Sequence, residues 1–130
     1  LIVIDASIAL SWLFQDELDD LARDSAQRVV QETALVPPIF PAEFSNALTV
    51  AVRRRRVREA DLHSAVDRIT QLPIRIDSSR LALHEEVRLA QKHALTVYDA
   101  MYLALARRHR LRLLTRDRGL RSAAAVEGCL

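Results

Sequence analysis

The chain opens on Leu1-Ile2-Val3-Ile4, an unbroken apolar run stopped by Asp5. A strand with one wet face alternates apolar and polar residues, so a short continuous run reads as a strand covered on both faces, as in a parallel sheet packed under helices. Three further short segments fit strands: Ala34-Leu35-Val36 before Pro37-Pro38, Ile74-Arg75-Ile76, and Leu111 to Thr115. Between them the period turns helical. One helix begins near Ser7, and Pro41 can open another at its first position, running towards Arg53. Leu62, Ala65, Val66, Ile69 and Leu72 follow the stripe of an amphipathic helix. A helix starting near Ser79 is expected to bury Leu83, Val87 and Ala90, and one begun by Thr96 runs through Tyr102 and Leu105 towards His109. Arg53 to Glu59 is a polar break between two helices. Strands alternating with helices give an α/β fold with a short, mainly parallel sheet flanked by helices. A length of 130 residues suits a single domain spanning 1–130.

Several chemistries are excluded at once. Gly119 and Gly128 are the only glycines, so neither a P-loop nor a dinucleotide-binding fingerprint exists. His63, His84, His93 and His109 have no zinc-type spacing, and most of them are expected on the surface. Cys129 stands alone, which rules out an internal disulfide, fits a reducing cytoplasm, and makes a poor nucleophile. No apolar run reaches the roughly 18 residues of a membrane span, and the opening lacks the basic region of a signal peptide. A cytoplasmic location without membrane contact is therefore expected. Trp12 and the group Tyr98, Met101 and Tyr102 follow helical spacing and read as core rather than as a base-stacking platform.

The net charge is +2, yet Lys92 is the only lysine among nineteen basic residues. Arginine suits phosphate recognition through its planar fork, although a GC-rich coding bias accounts equally for its abundance. One block holds Arg53, Arg54, Arg55, Arg56 and Arg58. A second holds Arg107, Arg108, Arg110, Arg112, Arg116, Arg118 and Arg121. Such blocks either line a polyanion path or are solvated helix ends.

Four acids adjoin apolar segments. Asp5 ends the first strand and Asp117 follows the last, at the edge where open parallel sheets bind ligands. Glu43 and Asp99 lie in first helical turns. Each has an ordinary structural explanation. Asp5 can cap the following helix, Glu43 can complement the macrodipole, Thr96 and Asp99 have capping-box spacing, and Asp117 can be a turn residue beside Gly119. Their surroundings favour a site. Glu43 and Asn46 share a helix face with Ala47 and Val50, and Asp99 shares one with Leu103 and Ala106. Ser7, Thr96 and Thr115 stand beside Asp5, Asp99 and Asp117 as hydroxyl donors able to orient carboxylates. Unpaired charge beside apolar segments is costly, and a hard divalent cation with oxygen ligands would offset it.

The local motifs then resemble a known family. Val3-Ile4-Asp5-Ala6-Ser7 is similar to the opening motif of PIN domains. Pro41-Ala42-Glu43-Phe44-Ser45-Asn46-Ala47-Leu48 resembles the Glu-x-x-Asn-x-Leu helix of VapC-like toxins. Tyr98-Asp99-Ala100-Met101-Tyr102-Leu103-Ala104-Leu105-Ala106 is very close to their Tyr-Asp-Ala-x-Tyr-Leu-Ala-Leu-Ala signature, and Leu114-Thr115-Arg116-Asp117 resembles the closing Thr-x-Asp element. The likeness runs from Leu1 to about Ala123. It implies a PIN-like three-layer fold and a metal-dependent endoribonuclease, the toxin of a type II toxin–antitoxin pair. Asp5, Glu43, Asp99 and Asp117 would be catalytic and would hold Mg²⁺ or Mn²⁺, supported by Ser7, Asn46, Thr96 and Thr115. The metal would lower the pKa of a coordinated water for in-line attack on RNA phosphorus. A cognate VapB-like antitoxin and a homodimer are the implied partners. Arg53, Arg54, Arg55 and Arg56 are candidates to contact RNA or antitoxin. Many relatives carry a further acid after the last aspartate; here Arg118-Gly119-Leu120 follow, which leaves one or two metals open.

Two other classes compete. A phospho-receiver-like domain also gathers aspartates at strand ends, but needs a lysine late in the chain, and Lys92 precedes the fourth strand. A PIN-like module that binds RNA or protein without catalysis would differ by lacking metal-dependent cleavage.

Overall fold

A computed structural model describes residues 1–78 and 82–130. Four strands, β1 (Ile2–Ile4), β2 (Ala34–Val36), β3 (Ile74–Ile76) and β4 (Leu113–Leu114), form one sheet in the order β3-β2-β1-β4. Every pairing is parallel, with Val3 opposite both Leu35 and Leu113. The helices are α1 (Ala6–Ser11), α2 (Asp20–Gln31), α3 (Phe40–Arg53), α4 (Leu62–Gln71), α5 (Leu83–His93), α6 (Val97–His109) and α7 (Arg118–Val126). The α/β reading with a short parallel sheet therefore holds. Among the described residues, no helix is long and apolar enough to cross a membrane.

The apolar opening run becomes an inner strand. Ile2, Val3 and Ile4 are all buried, as are Ala34, Leu35 and Val36 beside them. From β1 the chain winds to one side through β2 and β3, and β4 returns on the other side. The strand order thus reverses at β1, and the crevice beyond the carboxyl ends of β1 and β4 is the usual ligand position in such sheets. Helix α6 packs against β1 and buries every residue from Tyr102 to Ala106. Its alanines let the backbone approach closely, which explains why this helix looks apolar nearly all round.

Several expectations are corrected. Two helices, α2 and α7, went unread. Both begin at aspartates whose side chains cap them, Asp19 accepting from Ala22 N at 3.0 Å and Asp117 from Leu120 N at 2.7 Å. Leu21, Ala22, Ser25 and Val29, and then Leu120, Ala123 and Ala124, were the available helical stripes. Helix α5 is rotated from its expected face. Glu86, Leu89 and Ala90 are buried, whereas Leu83 and Val87 are 60% and 48% exposed. The α5–α6 hairpin explains the rotation: left-handed Ala94 and the Thr96 cap set the phase of α5 against α6. The expected start at Ser79 lies outside the described residues. Tyr98 is 57% exposed rather than core, while Tyr102 is buried and Trp12 packs on the core with its indole N–H bonded to Ser25. His93 is not a surface residue, since its side chain is only 10% exposed.

His93 belongs to a clasp that joins α5, α6 and α7. The Glu127 carboxylate accepts from Lys92 Nζ at 2.7 Å, lies 2.7 Å from His93 Nε2, and pairs with Arg107 Nε at 3.0 Å. Lys92 and His93 beside it, with Arg107, hold its carboxyl down at about 2. A carboxylate depressed in the folded state contributes stability above its unfolded value near 4.5, and that contribution is lost as pH falls towards about 2. Glu127→Gln should therefore cost on the order of 1–2 kcal/mol at pH 7, with the gap to wild type closing between pH 4.5 and 2. Thermal melts across that range check it.

Candidate active site

Asp5 is carried to the sheet's carboxyl edge by β1, and its backbone N–H still belongs to the sheet, donating to Leu114 O at 3.3 Å. Its side chain is 5% exposed. Oδ1 accepts from Ser7 Oγ at 2.6 Å and from Ile8 N at 3.1 Å, and Oδ2 accepts from Thr115 Oγ1. The capping explanation of Asp5 is thus true of one oxygen while the other reaches β4. Thr115 is itself oriented, since its hydroxyl oxygen accepts from Asp117 N at 3.0 Å. Ser7 Oγ likewise accepts from Arg116 N at 3.0 Å. These contacts supply neutral donors only. Burial is the main force raising the Asp5 carboxyl, the Ser7, Thr115 and Ile8 donors oppose it, and Asp99 adds repulsion.

Glu43 enters from the first turn of α3, which the Pro37-Pro38 turn and Pro41 start beyond β2. The stacked rings of Phe40 and Phe44, with centroids 6.1 Å apart, anchor that turn in the core. Glu43 Oε1 accepts from Tyr102 Oη at 2.6 Å. Burial, then the charges of Asp99 and Asp5, raise its carboxyl against that hydrogen bond. Asp99 sits in the first turn of α6, where Thr96 Oγ1 accepts its backbone N–H at 3.1 Å. Its carboxyl is raised mainly by burial, with the Thr96 side chain opposing and the charge of Asp117 adding to it. Asp117 is exposed and caps α7.

The four acids come from four separate elements, and each lies within electrostatic reach of at least one other. They are not drawn into a closed cage. Among the described residues, no three carboxylate, histidine or cysteine side chains stand close enough together to hold a metal ion. Their oxygens are turned to Ser7, Thr115, Tyr102 and the first turn of α7 instead. The donor set is all oxygen, which suits Mg²⁺ or Mn²⁺, and carboxylates raised by burial and mutual repulsion leave a charge deficit that a cation would fill. Of the supporting residues, Ser7 and Thr115 hold Asp5, and Thr96 caps at Asp99. Asn46 is exposed and makes no side-chain hydrogen bond among the described residues.

Sequence reasoning missed Tyr102, which spacing assigned to the core and which also holds Glu43. Burial, with the Glu43 carboxylate next, pushes its hydroxyl far above the usual tyrosine value, so it stays a donor. It also missed Arg116, whose guanidinium forks onto Asp19 with both N···O distances at 2.9 Å. The arginine block is not uniform. Arg56 is engaged by Asp16 and Glu17 and lies 4.0 Å over the Phe14 ring, and Arg58 pairs with Asp61. Arg53, Arg54 and Arg55 are exposed with no ion pair among the described residues.

The fold is an α/β parallel sheet with carboxylates near the point where its strand order reverses, the edge at which open sheets of this kind commonly bind ligands. Residues 2–126 match the family described as PIN domain, and the chain belongs to that family. It is 29% identical over 121 residues to a protein named Ribonuclease VapC3 from Pyrobaculum aerophilum, covering 92% of this chain and 91% of that one. The crystal structure of PAE2754, also from Pyrobaculum aerophilum, superposes with a TM-score of 0.71 at 22% identity, covering 94% of this chain and 83% of that chain. That likeness establishes the fold.

Asp5, Glu43 and Asp99 have an electrostatic consequence opposite in sign to that of Glu127. A carboxyl raised in the folded state contributes stability below its unfolded value, and that contribution is lost as pH rises through the folded one. The ligand-free protein should therefore carry its repulsion at neutral pH. Asp99→Asn should leave the metal-free melting temperature at pH 7 equal or higher, the Thr96 cap being untouched. Measured against wild type in EDTA, a clear drop instead would mark Asp99 as a capping residue whose first-turn charge is worth about 0.3–1 kcal/mol.

Proposed function

We propose that this chain is a metal-dependent endoribonuclease, the toxin of a type II toxin–antitoxin pair. What supports the reading is the electrostatic proximity of Asp5, Glu43, Asp99 and Asp117, which come from four elements, with three of them raised by burial. Membership of the PIN family and the likeness to a protein named Ribonuclease VapC3 support it. The four acids would hold Mg²⁺ or Mn²⁺. When bound, such an ion activates water and offsets charge on a phosphodiester.

The chain's own contribution is orientation. Ser7 and Thr115 fix both oxygens of Asp5, and Tyr102 fixes Glu43, so these carboxylates keep their rotamers as the ligand arrives. Asp99 and Asp117, the latter also capping α7, would supply the remaining carboxylates that hold the ion. No protein nucleophile is needed. Exposed Arg53, Arg54 and Arg55 offer contacts for RNA phosphate or for an acidic stretch of a VapB-like antitoxin; Arg56 is less available because it is already paired within the chain. A homodimer in the cytoplasm completes the reading.

Bulk RNA incubated with Mn²⁺ should be cut, and EDTA should stop the cutting. Added Mn²⁺ should raise the wild-type melting temperature by mass action, while Asp99→Asn should abolish cleavage and respond far less to the ion. Cleavage by Asp99→Asn at near wild-type rate would sink the site assignment, and metal-independent RNA binding without cleavage would establish a non-catalytic module. In light scattering at micromolar concentration we expect a dimer; a single species near the chain mass of 14.7 kDa would reject it.

A further inference from the structure

Asp5 depends on two hydroxyls, and both are tied to one short turn. Ser7 Oγ accepts from the amide of residue 116, and Thr115 Oγ1 accepts from the amide of Asp117. The β4–α7 turn of residues 115–117 therefore sets where both donors to Asp5 stand. Two backbone bonds are a slight restraint on this turn, because the preceding β4 is only two residues long. The side chain in the middle of the turn supplies the missing restraint. Arg116 reaches across to Asp19 with Nη1 2.9 Å from Oδ1 and Nη2 2.9 Å from Oδ2. Such a two-pronged pair fixes direction as well as distance, which a single exposed ion pair does not.

Asp19 is exposed but tied to α2. It is the N-cap of the twelve-residue α2, and its Oδ1 also accepts from Ala22 N at 3.0 Å. The connection it ends, residues 15–19, is held from its other side by Arg56, which engages Asp16 and Glu17. The arginine side chain is three-quarters covered. Asp117 meanwhile is committed to capping α7, so the turn is pinned at one end by α7 and at its centre by α2.

We propose that the Arg116–Asp19 pair is a positioning clamp, holding the β4–α7 turn so that Ser7 and Thr115 present Asp5 for ligand binding. In this role the pair acts through two hydroxyls rather than by holding the ligand itself. Its functional half rests on the reading of Asp5 as a metal ligand, whereas its structural half does not.

Asp19→Asn and Arg116→Gln test it, alone and together. Asparagine caps helices as well as aspartate, so the first variant removes the charge and the second prong of the clamp and keeps α2. In amide hydrogen exchange on the metal-free protein, residues 116 and 117 should exchange several-fold faster in both single variants. Core amides of α3 and α6 should be unchanged, and the double variant should go no further than either single one. Mn²⁺ titrated into each protein by calorimetry should show a dissociation constant raised about tenfold, the lower range for groups that orient metal ligands. RNA cleavage should lose kcat with KM unchanged. Unchanged exchange at residues 116 and 117, or additive effects in the double variant, would overturn the clamp. So would weaker RNA binding in Arg116→Gln alone, with its salt slope reduced by about one, because Arg116 would then be a phosphate contact. Wild-type protein that neither binds Mn²⁺ nor cuts RNA would overturn the nuclease reading, and the exchange rates would still decide the clamp.

Discussion

The burial of β1 on both faces is the constraint from which the remaining architecture follows. A three-residue strand cannot stand alone, and with Ile2, Val3 and Ile4 all excluded from water it needs a strand on each edge and a helix against it. Parallel neighbours can be reached only by crossover connections, which is why helices punctuate the chain between its strands. Placing β1 inside the sheet also places the residue that follows it. Asp5 arrives at the point of strand-order reversal, too deep to be hydrated, and the structure meets its charge with two hydroxyls and a helix N-terminus.

Two kinds of carboxylate result from this arrangement. Asp19 and Glu127 sit beside arginine, lysine and histidine, and both are held near 2. Asp5, Glu43 and Asp99 meet only neutral donors and one another, and all three are raised. The protein has abundant arginine with which it could have neutralised the second group, and among the described residues places none against it. Carboxylates that are partly buried near one another, with no cationic partner among the described residues, are poorly arranged for stability, and a bound cation would relieve that strain. The same contrast explains the basic composition. Arg56, Arg58, Arg107 and Arg116 are engaged by acids of the chain itself, so an excess that looks like a polyanion path in sequence is partly internal scaffolding.

Tyr102 and Arg116 show how core and site are continuous. Tyr102 fills space beneath the sheet while its hydroxyl fixes Glu43. Arg116 lies in a turn that hydrogen-bonds to Ser7 on one side and to α2 on the other. Neither can be classed as packing or as chemistry alone. A carboxylate in a site of this kind is held by residues whose other half is already immobilised, and this is what keeps neutral hydroxyls aimed at Asp5.

Local sequence determined the strands, the strand-to-acid transitions and most helices. Continuous apolar runs, Pro41 at a helix start and a threonine three residues before an acid are interactions between chain neighbours, and such signals survive without a fold. The four acids were legible because each sits at the junction of two local patterns, and their likeness to PIN motifs gave those junctions an order. The tertiary structure decided what no local pattern carries. The face that α5 buries was set by its hairpin with α6, so Leu83 and Val87 point outward despite their spacing. Tyr98 is exposed and Tyr102 buried although both are aromatic and lie one turn apart on the same helix face, because Tyr98 sits in the first turn of α6 and Tyr102 within its buried span. The union of Arg116 with Asp19, 97 residues apart, and of Tyr102 with Glu43, 59 apart, depends on how helices cross the sheet. Side chains distant in sequence meet only after the backbone has been placed, and a one-dimensional pattern contains no term for that distance.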